Sequence, residues 1–132
     1  HVVNDDKLWF DLLMEMTTEK FAYQTVNAND VMFYFNKKTG LNLTPIFMQY
    51  VFFKDIPSLY YNLEKKKGKK YTLKYKWQTD VADFGMPIEL KIGNEVVRLD
   101  ASNDLQVYDF VNKNKTKFSL EQNKFYIKVK KY

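Results

Sequence analysis

The side chains able to do acid–base or metal chemistry in this chain are few and widely spaced. His1 is the sole histidine, and cysteine is absent. A zinc helix of the H-E-x-x-H kind needs two histidines, and a serine–histidine–aspartate system needs one held in a fixed setting, so neither can be completed from these residues. His1 also stands at a terminus, where side chains are poorly tied down. Without cysteine there are no disulfides and no thiolate-held metals, while the redox compartment stays open. The acidic pairs Asp5/Asp6 and Asp80/Asp83 could in principle serve as acid and base or hold a hard cation. They read more simply as charge at the amino end of a helix and as part of a loop between strands. VNANDV lacks the alternate ligands, central glycine and closing glutamate of a calcium loop. The four glycines are scattered singly, so there is no phosphate-cradling loop. The sequence assigns no catalytic, cofactor-binding or metal residue.

Binding chemistry has more material. The chain carries 21 basic and 16 acidic residues for a formal charge of +5, and every basic residue except Arg98 is lysine. Nucleic-acid readers favour arginine forks, so no nucleic-acid partner is expected. The lysine-rich run EKKKGKKY, residues 64–71, centred on Gly68, reads as an exposed hairpin tip. The aromatic series Phe47, Tyr50, Phe52, Phe53, Tyr60 and Tyr61 is expected to form a buried joint between helices and sheet, with Phe53 packed against Tyr50 and Leu59. No apolar run reaches the roughly 18 residues that span a bilayer. Sequons at Asn42-Leu43-Thr44 and Asn114-Lys115-Thr116 are too common by chance to fix a compartment, and localisation stays undetermined.

The elements that must carry these residues fall into two kinds. With Asn4 as cap and Asp5 and Asp6 in the first turn, Leu8, Leu12, Leu13 and Met16 predict a helix over 5–22. Asn27 with Asp30 forms a capping box for a helix whose Val31, Tyr34 and Phe35 share one face, closed by Gly40. Thr44 caps a third helix with Pro45 at its first position, where Phe47, Tyr50 and Val51 share a face, and Pro57 forbids its continuation. Beyond residue 57 the period becomes two. Strands are predicted at SLYYNLE (58–64), KYTLKYKW (70–77), PIELKIG (87–93), EVVRLDA (95–101), LQVYDF (105–110), KFYIKVKKY (124–132) and, with a weaker pattern, KFSLE (117–121). Gly93-Asn94 marks a hairpin. The expected fold is α+β in two parts: helices over 1–57, then a small antiparallel β-sandwich over 58–132.

Taken in order, VNDDKLWFDLLMEM, FAYQTVNANDVMFYFNKKTGLNL, TPIFMQYVFFKDIPSLYY and LKYKWQTDVADFGMPIEL resemble the later part of the aminopeptidase N and leukotriene A-four hydrolase family of zinc metallopeptidases, the gluzincins. In that family the helices that follow the metal site lead through an x-Pro-x-Leu passage into a small β-sandwich. Here QTVNANDVMFYFNKKTG, FMQYVFFKDIPSLYY and, at Phe84 and Met86-Pro87, YKWQTDVADFGMPIEL carry the likeness. It is strong to about residue 90 and loose beyond. The resemblance implies that this segment is the noncatalytic end of a peptidase, packing against an upstream catalytic domain of the same protein. The zinc ligands, the amine-anchoring motif and the transition-state tyrosine would all lie upstream, and none maps onto a position here. The parent would use a zinc-activated water to cleave amino-terminal peptide bonds of a peptide substrate. The start HVVNDDKLWF, with no initiator methionine, basic leader or cleavage site, is expected to be a cut from something longer. The alternative is a binding module without peptidase activity, offering sheet edges or the tip lysines Lys65, Lys66, Lys67, Lys69 and Lys70 to a protein or glycan.

Overall fold

The computed structural model describes residues 1–113 and 116–132, so the sequon at Asn114 lies outside the described residues. Among the described residues three α-helices precede seven strands: α1 (Asp6–Glu15), α2 (Ala28–Thr39), α3 (Thr44–Phe52), β1 (Ser58–Lys65), β2 (Lys70–Gln78), β3 (Ile88–Ile92), β4 (Glu95–Leu99), β5 (Gln106–Val111), β6 (Phe118–Leu120) and β7 (Lys128–Lys131). The mixed α+β class expected from the sequence is the class observed.

Local signals explain most helix ends, and corrections arise where side chains compete with the backbone. Asp5, not Asn4, caps α1: its carboxylate accepts from the Leu8 amide at 2.8 Å, while Asn4 turns through the left-handed region at φ 57°. The helix predicted to reach residue 22 leaves α geometry after Glu15 and continues as a π-helical turn, Met16–Lys20. Thr17 and Thr18 donate their hydroxyls to the carbonyls of Leu13 and Met14, a competition that loosens an α ladder. The capping box on α2 forms, with Asn27 accepting from the Asp30 amide and Asp30 accepting from the Asn27 amide. Gly40 ends α2 at φ 70°, a conformation that glycine alone adopts without cost. In α3 the cap position is Leu43 and Thr44 is already helical. The helix stops at Phe52, where Phe53 turns extended, so it ends before Pro57 is reached.

The strands build two sheets, one ordered β5-β2-β1-β7 and the other β4-β3-β6. The hairpin tip at Gly68 and the Gly93-Asn94 turn both form, with φ 73° and 62° at their glycines. Two strand predictions need correction. KFYIKVKKY yields only β7, because Phe125 leaves the ladder to enter the core. The sandwich is also not wholly antiparallel: β7 runs parallel to β1, pairing Leu59 with Val129. This follows from the chain reaching β7 at the end where it enters β1, the Lys128 amide donating to the Pro57 carbonyl at 2.9 Å.

Between the sheets lies one core of Leu59, Leu73, Tyr75 and Trp77 from the first sheet, Ile88, Leu90 and Leu99 from the second, and Phe84 and Met86 from the intervening loop. A second core of Leu12, Tyr34, Phe35 and Leu43 holds the helices together, and Val2 and Ile46 pack against both. Each large apolar side chain buried in these clusters contributes roughly 1.5 to 3 kcal/mol.

Candidate functional site

Helix α3 and the amino-terminal segment connect the helical core to the sandwich, and the polar groups that make this junction were not legible from periodicity. Gln49 sits mid-helix and is 0% exposed. Its Nε2 donates to the Asp55 carbonyl at 2.7 Å and to the Asp80 carboxylate at 3.0 Å, and its Oε1 accepts from the amides of Asp80 at 2.9 Å and Val81 at 3.1 Å. One amide thus closes the α3–β1 connection and the β2–β3 loop together, with all its hydrogen-bonding capacity used. The next residue, Tyr50, donates its hydroxyl to the Tyr126 carbonyl at 2.8 Å, just before β7. Burial pushes the Tyr50 phenol up to about 12, with the neighbouring Tyr126 phenol adding to the rise. The only hint in the sequence was a lone glutamine inside an otherwise apolar helix.

Arg98 makes the second tie. Its Nη2 donates to the carbonyls of His1 at 2.7 Å and Val2 at 3.0 Å, clipping the amino-terminal segment to β4. Its Nη1 lies 3.5 Å from the Glu89 carboxylate, which also receives Lys124 at 2.8 Å. That hydrogen bond to Glu89 raises the Lys124 pKa. The Glu89 side chain is largely buried, so holding it between two cations is what keeps its charge tolerable.

The surface opens around these ties. A cleft of about 610 Å3 runs between Val2, Leu43 and Ile46 on one side and Met86, Arg98 and Ala101 on the other. An apolar groove of about 360 Å3 lies along Val3, Trp9, Phe47, Tyr50 and Val51. A polar recess of about 240 Å3 is lined by Gln49, Asp55, Ser58, Asp80, Lys128 and Lys130.

The structure disperses the residues singled out in the sequence. His1 is exposed, its ring 5.8 Å from that of Phe125, and its backbone oxygen rather than its imidazole is used by Arg98. Asp5 and Asp6 stay at the start of α1, and Asp80 and Asp83 lie in the β2–β3 loop. The aromatic joint is only partly formed. Phe47 and Tyr50 are half-buried, whereas Val51, Phe52 and Phe53 are exposed, Phe53 by 41%. Phe53 fails to reach Leu59 because the chain is already extended there, which turns its ring outward. Tyr61 faces the core, but Tyr60, one residue earlier in the same strand, lies on the opposite face.

The lysine tip is exposed, and Glu64 at its base receives Lys66 at 2.7 Å and Lys74 at 2.6 Å. Their hydrogen bonds hold the Glu64 carboxyl down at about 2. On the same outer face of the four-stranded sheet, Tyr60 stands in register between Lys76 of β2 and Lys130 of β7. The Lys130 ammonium lies 5.2 Å from the centre of the Tyr60 ring and 3.2 Å from its hydroxyl. Such an array presents charge and contact surface, with no nucleophile beside a base.

Among the described residues no helix is long and apolar enough to cross a membrane. No family model and no curated protein matches this chain.

Proposed function

We propose that this chain is the noncatalytic supporting portion of a zinc aminopeptidase-like protein, supplying the closing helices of a catalytic domain and the sandwich that buttresses it. The observation that supports this most is what the helices turn outward. Helix α1 exposes Phe10 and Met14, one turn apart and each 64% accessible, and α2 exposes Phe33 at 71%. Val51 and Phe52 do the same at the end of α3. A helix that ends its packing at solvent normally turns a polar face there, and isolated exceptions are ordinary, but all three helices here carry large apolar groups outward. An upstream domain of the same protein would cover them. Zinc and the peptide substrate belong to that domain, and the role of this chain is to hold its helices firmly to the sandwich through Gln49, Tyr50 and Arg98. The order of helices, proline junction and sandwich agrees with the family resemblance.

The test is an assay of the isolated chain with aminoacyl anilides and added zinc. No turnover is expected, and saturable turnover that survives repurification would overturn the noncatalytic assignment. A second reading, a binding module, is favoured by the lysine array around Tyr60.

A further inference from the structure

We infer that the free edge of β7 accepts an extended acidic peptide as a fifth strand of the four-stranded sheet, with carboxylates at alternate positions paired to Lys128 and Lys130. This inference does not depend on the peptidase reading. In the parallel pairing with β1, the amides of Lys128 and Tyr132 donate inward, to Pro57 and Tyr61. The backbone groups of the alternate residues, Val129 and Lys131, therefore point away from β1. They have no backbone partner among the described residues, and β7 is the last strand of its sheet. An open edge of this kind is a template for a further strand.

The side chains beside that edge decide which strand fits. Lys128 and Lys130 share the outer face with Ser58 and Tyr60, and neither lysine has an ion-pair partner among the described residues. Lys130 is held in place by the ring and hydroxyl of Tyr60. Lysines on an edge repel a second copy of the same strand, which guards against self-association. They attract a strand bearing carboxylates on the same face, since cross-strand pairs of opposite charge stabilise a sheet. Lys128 and Lys130 stand two positions apart with only Val129 between them, so the carboxylates must also alternate along the peptide. Asp55 and Asp80 line the recess beside both lysines and repel a carboxylate placed deeper, which confines the acidic positions to those opposite the two lysines. A single-stranded nucleic acid fits less well. Base stacking needs an open aromatic face, and that of Tyr60 carries the Lys130 ammonium. The one arginine, Arg98, is committed to the carbonyls of His1 and Val2.

The experiment uses the whole chain and three fluorescent probes at physiological ionic strength. They are a peptide of about eight residues alternating Glu and Val, a peptide of the same composition with all Glu first, and an oligouridylate of similar length. Anisotropy should show the alternating peptide binding about tenfold tighter than the block peptide, the factor expected from two aligned charge pairs. The double substitution Lys128→Glu and Lys130→Glu should remove that preference. Lys76→Glu, on the same face but away from the edge, should leave it. Amide exchange at Val129 and Lys131 should slow in the wild-type chain when the alternating peptide is present, a readout that needs no variant to fold. Equal binding of the two peptides, tighter binding of the oligouridylate, an equal loss with Lys76→Glu, or unchanged exchange at Val129 and Lys131 would each overturn the inference.

Discussion

Gln49 and Asp80, 31 residues apart, hydrogen-bond each other in both directions: the glutamine amide donates to the aspartate carboxylate at 3.0 Å and accepts from the aspartate backbone at 2.9 Å. The pair fixes α3 against the β2–β3 loop with a buried group that has no slack. Replacing Gln49 by leucine leaves the Asp80 and Val81 amides and the Asp55 carbonyl without partners. Because each orphaned buried group costs about 1 to 3 kcal/mol, and water reaches part of the loop, Gln49→Leu should lower stability by about 2 to 4 kcal/mol. Urea denaturation measures this, and a loss under about 1 kcal/mol would show that the junction does not depend on the amide.

Two apolar substitutions separate the real seam from the expected one. Leu59 is 1% exposed and Phe53 41%. Leu59→Ala should cost about 2 to 5 kcal/mol, as for other buried leucines, and Phe53→Ala less than about 1 kcal/mol. The reverse order would mean that Phe53 is buried in solution.

Tyr50 makes stability fall in base. Its folded pKa is raised from 10.0 to about 12, chiefly by burial, so the unfolded chain loses the phenol proton first. The contribution is fully present below pH 10 and is lost as pH rises toward about 12. Tyr50→Phe should flatten that decline in a denaturation series. An unchanged slope would mean that the Tyr50 phenol titrates alike in both states.

Glu64 behaves in the opposite sense. Its carboxyl is held at about 2 by Lys66 and Lys74, so any stability that it adds is present above the ordinary carboxyl pKa of 4.5 and is lost as pH falls toward 2. The site is exposed, so the direct readout is an NMR titration. The Glu64 resonance should stay that of a carboxylate well below pH 4.5, and high salt should move its midpoint upward. A midpoint near 4.5 at low salt would show that the two lysines do not hold it in solution.

The parts legible in the sequence are those set by local chemistry. The α2 capping box, the Gly40 stop, the two glycine hairpins and the strands with clear alternation all follow from short-range rules, and they appear at the expected places within a residue or two. What escaped depends on contacts between distant segments. The parallel pairing of β7 with β1 has no local signature, and Phe125 leaves its strand only because a core is there to receive it. Gln49 carries no signal in the sequence beyond its polarity, and only the β2–β3 loop makes it a junction. Phe47, Tyr50 and Val51 fit a helical face by spacing, yet Val51 is exposed, and α3 meets the sandwich through Ile46, Gln49 and Tyr50. The candidate site was legible only as a lysine-rich surface, since the register that sets Tyr60 between Lys76 and Lys130 cannot be read from either strand alone.

The central claim, that this chain supports a peptidase whose metal lies elsewhere in the same protein, is tested most directly by reading the coding sequence immediately upstream of the His1 codon. An in-frame H-E-x-x-H motif followed at a distance by a glutamate is expected there, ahead of the helices described above. An upstream reading frame without that motif, or one that closes within a few codons of His1, would contradict it.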